Sequence, residues 1–145
     1  MRIISWNIRA GGGKRIAGIL AQLLDWRPDI IALSEFRGTP ASQTLAIELA
    51  NSGWIYQLQS IDQKKPATNA LLLASKFPLE AVIIKYAPRR PRRWLLGKVC
   101  SDSPFMIANM HIPNFNTGFK YPYLKAVLKV IDYCEKEITI IIYKI

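Results

Sequence analysis

The chain has 145 residues, with 20 Lys and Arg against 10 Asp and Glu and a formal net charge of +10, which is one domain's worth of strongly basic protein. Half of it is apolar and 21% is charged, a balance that excludes disordered, collagenous and coiled-coil chains. The longest apolar runs, Ala70–Ala74 and Ile138–Tyr143, fall far short of the roughly 18 residues of a membrane span.

Arg2–Asn7, β-branched and aromatic, predicts a strand. Polar residues follow too soon for a secretory signal, so a cytoplasmic protein is expected. Gly11-Gly12-Gly13 breaks the chain, and Ile16, Ile19, Leu20, Leu23 and Leu24 then recur at helical spacing. Trp26-Arg27-Pro28-Asp29 ends that helix, because the residue before proline avoids helical geometry. Ile30–Ser34 reads as a fully buried strand with Glu35 at its end. Thr39-Pro40 opens a second helix that runs to about Asn51, where Ser52-Gly53 stops it.

From Trp54 onward the pattern changes to short strands, expected to be antiparallel: Trp54–Gln59, Asn69–Ser75, Glu80–Lys85, Trp94–Cys100 and Pro104–Met110. A last helix, about Tyr121 to Glu137, is expected to bury Leu124, Val127, Leu128, Ile131 and Cys134, and Ile138–Tyr143 is a final apolar strand. No repeat, linker or low-complexity segment divides the chain, so residues 1–145 are read as a single domain. Cys100 and Cys134 are the only cysteines, which leaves no disulfide framework or cysteine zinc site and predicts free thiols.

Between Glu80 and Asp102 stand Lys85, Arg89, Arg90, Arg92, Arg93 and Lys98 with no acid among them. Such a patch suits a phosphate-bearing partner, because arginine meets a phosphate with two parallel charge-assisted hydrogen bonds. A solvated loop is the alternative. The glycine run with Lys14 fails the phosphate-loop pattern, which needs glycine at Ile8 and a hydroxyl at Arg15, and it fails the dinucleotide fingerprint at Ile16. Asn7 and Glu35 each close a strand; if the strands are neighbours, both side chains emerge at one carboxyl edge, where ligands bind. They are hard oxygen donors of the type Mg²⁺ takes. The structural alternative is that Asn7 caps a turn and Glu35 pairs with Arg37 or Arg9. His111, the only histidine, ends another apolar strand just before Pro113, on a rim where a proton donor or phosphate contact is useful.

Four segments in order, Ser5-Trp6-Asn7-Ile8-Arg9, Asp29 to Arg37 (DIIALSEFR), Asn69 to Lys76 (NALLLASK) and Asn109-Met110-His111-Ile112-Pro113-Asn114, resemble the endonuclease/exonuclease/phosphatase family, in which exonuclease III, abasic-site endonucleases and DNase I fall. The resemblance implies an α/β (α+β) fold, the DNase I-like four-layer sandwich with mixed, mostly antiparallel sheets, of which this chain carries the first half to two-thirds. It implies a Mg (or Mn)-dependent phosphodiesterase with Asn7, Glu35 and His111 catalytic, Glu35 and Asn7 on the metal, and Arg93, Asn69, Asn114 and Arg37 on the substrate phosphate. The net charge of +10 favours a nucleic acid over a small phosphate ester, and the resemblance points to DNA; a phosphatase acting on a small or lipid phosphate stays the alternative, since basic clefts serve those too.

The family's Gly-Asp-x-Asn segment and its later Asp-His pair have no counterpart: Tyr143-Lys144-Ile145 stands after the last apolar strand. The domain is therefore expected to be incomplete at its C-terminus and weak or inactive alone, since losing a positioned base costs about 10²–10⁴-fold. The competing expectation is a non-catalytic remnant that binds nucleic acid through its basic patch. An apolar face left open, with Ile138–Tyr143 at its edge, predicts self-association.

Overall fold

The computed structural model describes residues 1–134 and 140–143, the last four by their backbone. In chain order these form β1 (Ile3–Asn7), α1 (Ile16–Trp26), β2 (Ile30–Phe36), α2 (Pro40–Asn51), β3 (Tyr56–Gln59), β4 (Ala70–Ser75), β5 (Leu79–Ala81), β6 (Trp94–Val99), β7 (Phe105–Met110), α3 (Lys120–Cys134) and β8 (Ile140–Tyr143). Two four-stranded sheets result, in the orders β1-β2-β4-β3 and β5-β6-β7-β8. β1 with β2 and β7 with β8 are parallel, and every other pair is antiparallel.

Period-two alternation decides the layers. On β2 and β4, Ile31, Leu33, Leu72 and Ala74 face α1 and α2, meeting Ile19, Leu23, Leu45 and Leu49. Their neighbours Ile30, Ala32 and Leu73 face the second sheet and pack on Val99, Phe105 and Ile107. The other face of β7, with Met106, Ala108 and Met110, packs on Tyr123, Val127, Val130 and Cys134 of α3. The order is therefore helix, sheet, sheet, helix, the four-layer sandwich expected from the sequence. β4 and β7 are buried at every residue, as central strands covered on both faces must be.

Three local details differ from the sequence reading. The strand expected over Glu80–Lys85 is Leu79–Ala81; it pairs with Lys98 and its neighbours and then gives way, leaving Ile83 98% exposed. The buried stripe of α3 is Tyr123, Val127, Val130 and Cys134, with Leu128 outward. Val127 and Cys134 are as expected; Tyr123 joins them, and its hydroxyl donates to the Arg93 carbonyl at 2.5 Å. Leu24 likewise faces solvent, while Ile19 and Leu23 carry the buried face of α1. The expected helix residues Glu135–Glu137 and strand residues Ile138 and Thr139 lie outside the described residues.

The two sheets are tied together by a polar residue in an otherwise apolar layer. Asn109 on β7 is 1% exposed, and its amide donates to the carbonyls of Leu33 on β2 at 3.0 Å and Leu72 on β4 at 2.9 Å. Both donors of the amide are thus satisfied across the sandwich, as burial of such a group requires.

Candidate active site at the sheet rim

β1 and β2 are parallel neighbours with Asn7 opposite Ser34, so both end at the same edge of the first sheet. Regular alternation would turn Glu35 away from Asn7. A bulge prevents this: Ser34 pairs with Leu71 and Phe36 with Ala70, which leaves Glu35 as the extra residue. Its backbone takes the left-handed conformation, φ 56°, uncommon for a side chain of this kind. Bulges that re-aim a side chain beside an active site are a recurrent device. The carboxylate meets Asn7, whose Nδ2 donates to Oε1 at 3.0 Å, and the amide of Ala10, which donates to Oε2 at 2.9 Å.

The loop after β1 is bent to make that second bond. Arg9, Ala10, Gly11, Gly12 and Gly13 form five consecutive residues at positive φ. At Gly12 the positive φ of 77° would strain any other residue, and a Cβ there would stand 2.6 Å from Ile16 Cδ1, which would have to shift. The Gly11 amide donates to the Glu35 carbonyl at 2.7 Å, and Ser42 of α2 donates to the Gly11 carbonyl at 2.8 Å. The glycine run is thus the support of the carboxylate rather than a phosphate loop. The strain held at Arg9, Ala10 and Glu35 sits together at one edge, the distribution expected of a functional site.

β4 runs opposite to β2, so Asn69, just before it, arrives at the same rim. Its Oδ1 accepts from Arg37 Nε at 2.7 Å, a bond that engages neither the Asn69 amide nitrogen nor the two terminal nitrogens of Arg37. The second sheet contributes the other wall. The His111 amide donates to the Arg93 carbonyl at 3.0 Å, and Arg93 Nη1 donates to the His111 carbonyl at 3.3 Å. Burial holds the Tyr123 phenol well above its ordinary value, against the pull of the Arg93 charge, so it remains a donor to the Arg93 carbonyl.

Asn7, Glu35, Arg37, Asn69, Arg93 and His111 therefore share one rim. Asn114 stands three residues after His111 and is exposed, and its carbonyl accepts from the Thr117 amide and hydroxyl in a turn. The turn-capping alternative for Asn7 holds too, since its Oδ1 accepts from the Arg9 amide at 2.9 Å. The partners of Glu35 are Asn7 and Ala10 rather than an arginine. Asn109 and Tyr123, which brace the rim, escaped the sequence reading; a polar residue inside the apolar strand Phe105–Met110 was the available signal for the first.

Electrostatics matches the geometry. Burial pushes the Glu35 carboxyl up, but the hydrogen bonds from Asn7 and Ala10 and the charges of His111 and Arg37 outweigh it and hold the pKa below its ordinary 4.5. His111 lies below its ordinary 6.5, through burial first and the Arg93 charge second, with Glu35 opposing. At neutral pH the rim thus carries an ionised carboxylate beside a neutral imidazole, which has one donor and one acceptor nitrogen. No set of three His, Cys, Asp or Glu able to hold a metal occurs among the described residues. The donor set of one carboxylate and one amide oxygen fits Mg²⁺, which is commonly held by one or two carboxylates plus water and substrate phosphate.

The description of the Endonuclease/Exonuclease/phosphatase family matches residues 4–124, most of the chain and all six residues of the rim. Among solved structures, the 3′ phosphatase NExo from Neisseria bound to product DNA hairpin superposes with a TM-score of 0.73 at 17% identity, over 98% of this chain and 56% of that one. An AP endonuclease from Archaeoglobus fulgidus gives 0.66 at 16% identity, over 96% and 52%. Sphingomyelinase C from Streptomyces griseocarneus gives 0.61 at 15% identity, over 79% and 50%. This chain thus spans about half the length of these structures, and the likeness shows a shared fold. A search of the curated proteins finds no match.

Proposed function

The chain belongs to the Endonuclease/Exonuclease/phosphatase family, and from that premise we propose that it is a metal-assisted phosphodiester hydrolase acting on DNA. The observation that carries the reading is the bulged, left-handed Glu35, held by Asn7 and Ala10 at the same rim as Arg93 and His111. Glu35 would hold the Mg²⁺ (or Mn²⁺), with Asn7 fixing its orientation. Such an ion, when bound, polarises a phosphoryl oxygen and offsets the charge that builds there.

The protein's own groups act on the rest of the phosphate. As a nucleophile attacks phosphorus, negative charge grows on the equatorial oxygens. Arg93, the free donors of Arg37 and the Asn69 amide sit at the rim to meet that charge with preformed dipoles. Neutral His111 can donate to a phosphate oxygen or accept a proton from an adjacent hydroxyl. Asn114 belongs to the proposal only as a residue of the adjoining loop. With no group of three His, Cys, Asp or Glu able to hold a metal among the described residues, water activation rests on His111 or on groups outside them, and slow turnover by these 145 residues is expected.

The DNA hairpin bound by the Neisseria phosphatase and the net charge of +10 support DNA over a lipid phosphate. No described helix is long and apolar enough to cross a membrane. Self-association through β8 belongs to the same proposal, since β8 forms one edge of its sheet with β7 alone beside it among the described residues.

The test is cleavage of supercoiled plasmid and of bis(p-nitrophenyl) phosphate, with Mg²⁺ and with chelator, by this chain and by Glu35→Ala. The expected result is slow, Mg²⁺-dependent cleavage that falls by about 10²-fold or more in the variant, the size lost with a single preorganised group. Equal rates in the two folded proteins would overturn the reading. Salt-sensitive DNA binding with no turnover in either would favour a non-catalytic binding chain instead.

A further inference from the structure

Beside the rim, the segment after β5 and the outer face of α3 enclose a groove of about 530 Å³, within the size range of ligand sites. Lys85, Arg89 and Arg90 enter it from the segment after β5, Lys125 and Lys129 enter it from α3, and no acidic side chain lines it. Lys125 and Lys129 stand one helical turn apart, about 6 Å along the axis, a like-charge pair that opposes its own helix. Five convergent cations with no counter-charge are costly to the fold and are relieved by a bound polyanion.

The groove also has faces for stacking. Phe119 is 48% exposed and Tyr86 is 44% exposed, and the Arg90 guanidinium lies 3.7 Å from the Phe119 ring centroid. A second depression of about 310 Å³, lined by Arg89 to Arg93 with Asp62 at its side, shares Arg89 and Arg90 with the first. The two form one basic track that ends at Arg93, whose side chain reaches the His111 carbonyl.

We infer that this track binds a single-stranded segment of nucleic acid flanking the phosphodiester at the rim, with phosphates on Lys125, Lys129 and Arg89 and a base stacked on Phe119. Cations along a backbone path together with exposed rings are the elements that single-strand binding uses. A concave groove admits a strand and excludes a flat bilayer. The inference takes its substrate class from the proposed hydrolase reading, but its own footing is the groove.

The experiment is fluorescence anisotropy of a labelled ten-nucleotide oligo-dT in chelator, where no metal-dependent cleavage intervenes. The variants are Lys125→Ala with Lys129→Ala, Phe119→Ala, and Lys14→Ala with Lys76→Ala; the last pair removes the same two charges outside the groove. Circular dichroism checks that each is folded. Loss of two phosphate contacts should lower the slope of log affinity against log salt by about 1.4, and Phe119→Ala should weaken binding by about fivefold or more. The outside pair should keep its affinity within about twofold of the parent's. Equal weakening by the groove and outside pairs would overturn the inference, because net charge alone would then explain the binding. So would groove variants that lose binding to phosphatidylserine vesicles while oligo-dT binding is unchanged. Binding in chelator needs no turnover, so a failure of the rim to hydrolyse and a failure of the groove to bind are read separately.

Discussion

The two sheets have nearly the same plan, each with two antiparallel pairings and a parallel strand pair at one edge, yet they bring different groups to the rim. The first contributes the carboxylate: Glu35, bulged out of β2 and fixed by Asn7 and the turn of Arg9 to Gly13. The second contributes cations and the imidazole, through Arg93 and His111 at the meeting ends of β6 and β7. A site for a metal-bridged phosphate needs both kinds of group. Arg37 accompanies the carboxylate on the first sheet, but Arg93 and His111 come from the second, so the distance from Glu35 to them is set by how the sheets pack. The pairing is therefore only as accurate as the contacts that fix one sheet on the other, and those contacts are the sharpest places to test it.

The largest effect is expected at Asn109. Asn109→Ala removes the bonds to Leu33 and Leu72 and leaves a small void, at a cost of about 2–4 kcal/mol in urea unfolding. Phosphodiester hydrolysis should fall more than the folded fraction alone explains, because Glu35 and His111 lose their common reference. A variant that is less stable but fully active per folded molecule would show that the apolar contacts alone set the register. Gly97→Ala tests the same spacing from the opposite direction. Its Cβ would stand 2.9 Å from Leu79 Cδ1 and 3.2 Å from Leu58 Cδ1, where the sheets face one another. Those leucine ends can rotate, so a smaller loss of about 1–2 kcal/mol is expected, again checked by urea unfolding.

The sandwich itself was legible because period-two and helical patterns are local. Ile30–Ser34 and the Ile16 to Leu23 stripe announce their elements without help from the rest of the chain. The rim was legible only in part. That Asn7 and Glu35 share an edge followed from their places at strand ends, but the bulge that turns Glu35 toward Asn7 is a property of the pairing with β4, which begins 35 positions further along. On α3, Val127 and Cys134 are buried as their spacing predicts, whereas Leu128 is exposed although it is as apolar as they are. The burial of Tyr123 on that face goes with its hydrogen bond to the Arg93 carbonyl, a tertiary contact with no local signature. Asn109 was readable as an odd residue in a buried strand, and its role was not, because its acceptors are carbonyls that every residue has.

The smallest effect is also the most direct reading of how the sheets face each other. His111 is the only histidine, so one imidazole proton resonance reports on the rim. Its midpoint should lie below the ordinary 6.5, through burial and Arg93, while Glu35 opposes that shift. Glu35→Gln should therefore move it lower still, and Arg93→Ala should move it up. The stability consequence has a fixed sign. An imidazole harder to protonate when folded leaves the unfolded chain binding more protons, so stability falls as pH drops through 6.5. The Glu35 contribution is complete above its unfolded value of 4.5 and is lost as pH falls through the lower folded one. Both groups thus make stability rise with pH on the acid side, but only the resonance tells whether they feel each other. If Glu35→Gln leaves the His111 midpoint unmoved, the carboxylate and the imidazole do not share a site, and the two-sheet account of the rim fails even if each sheet is correct.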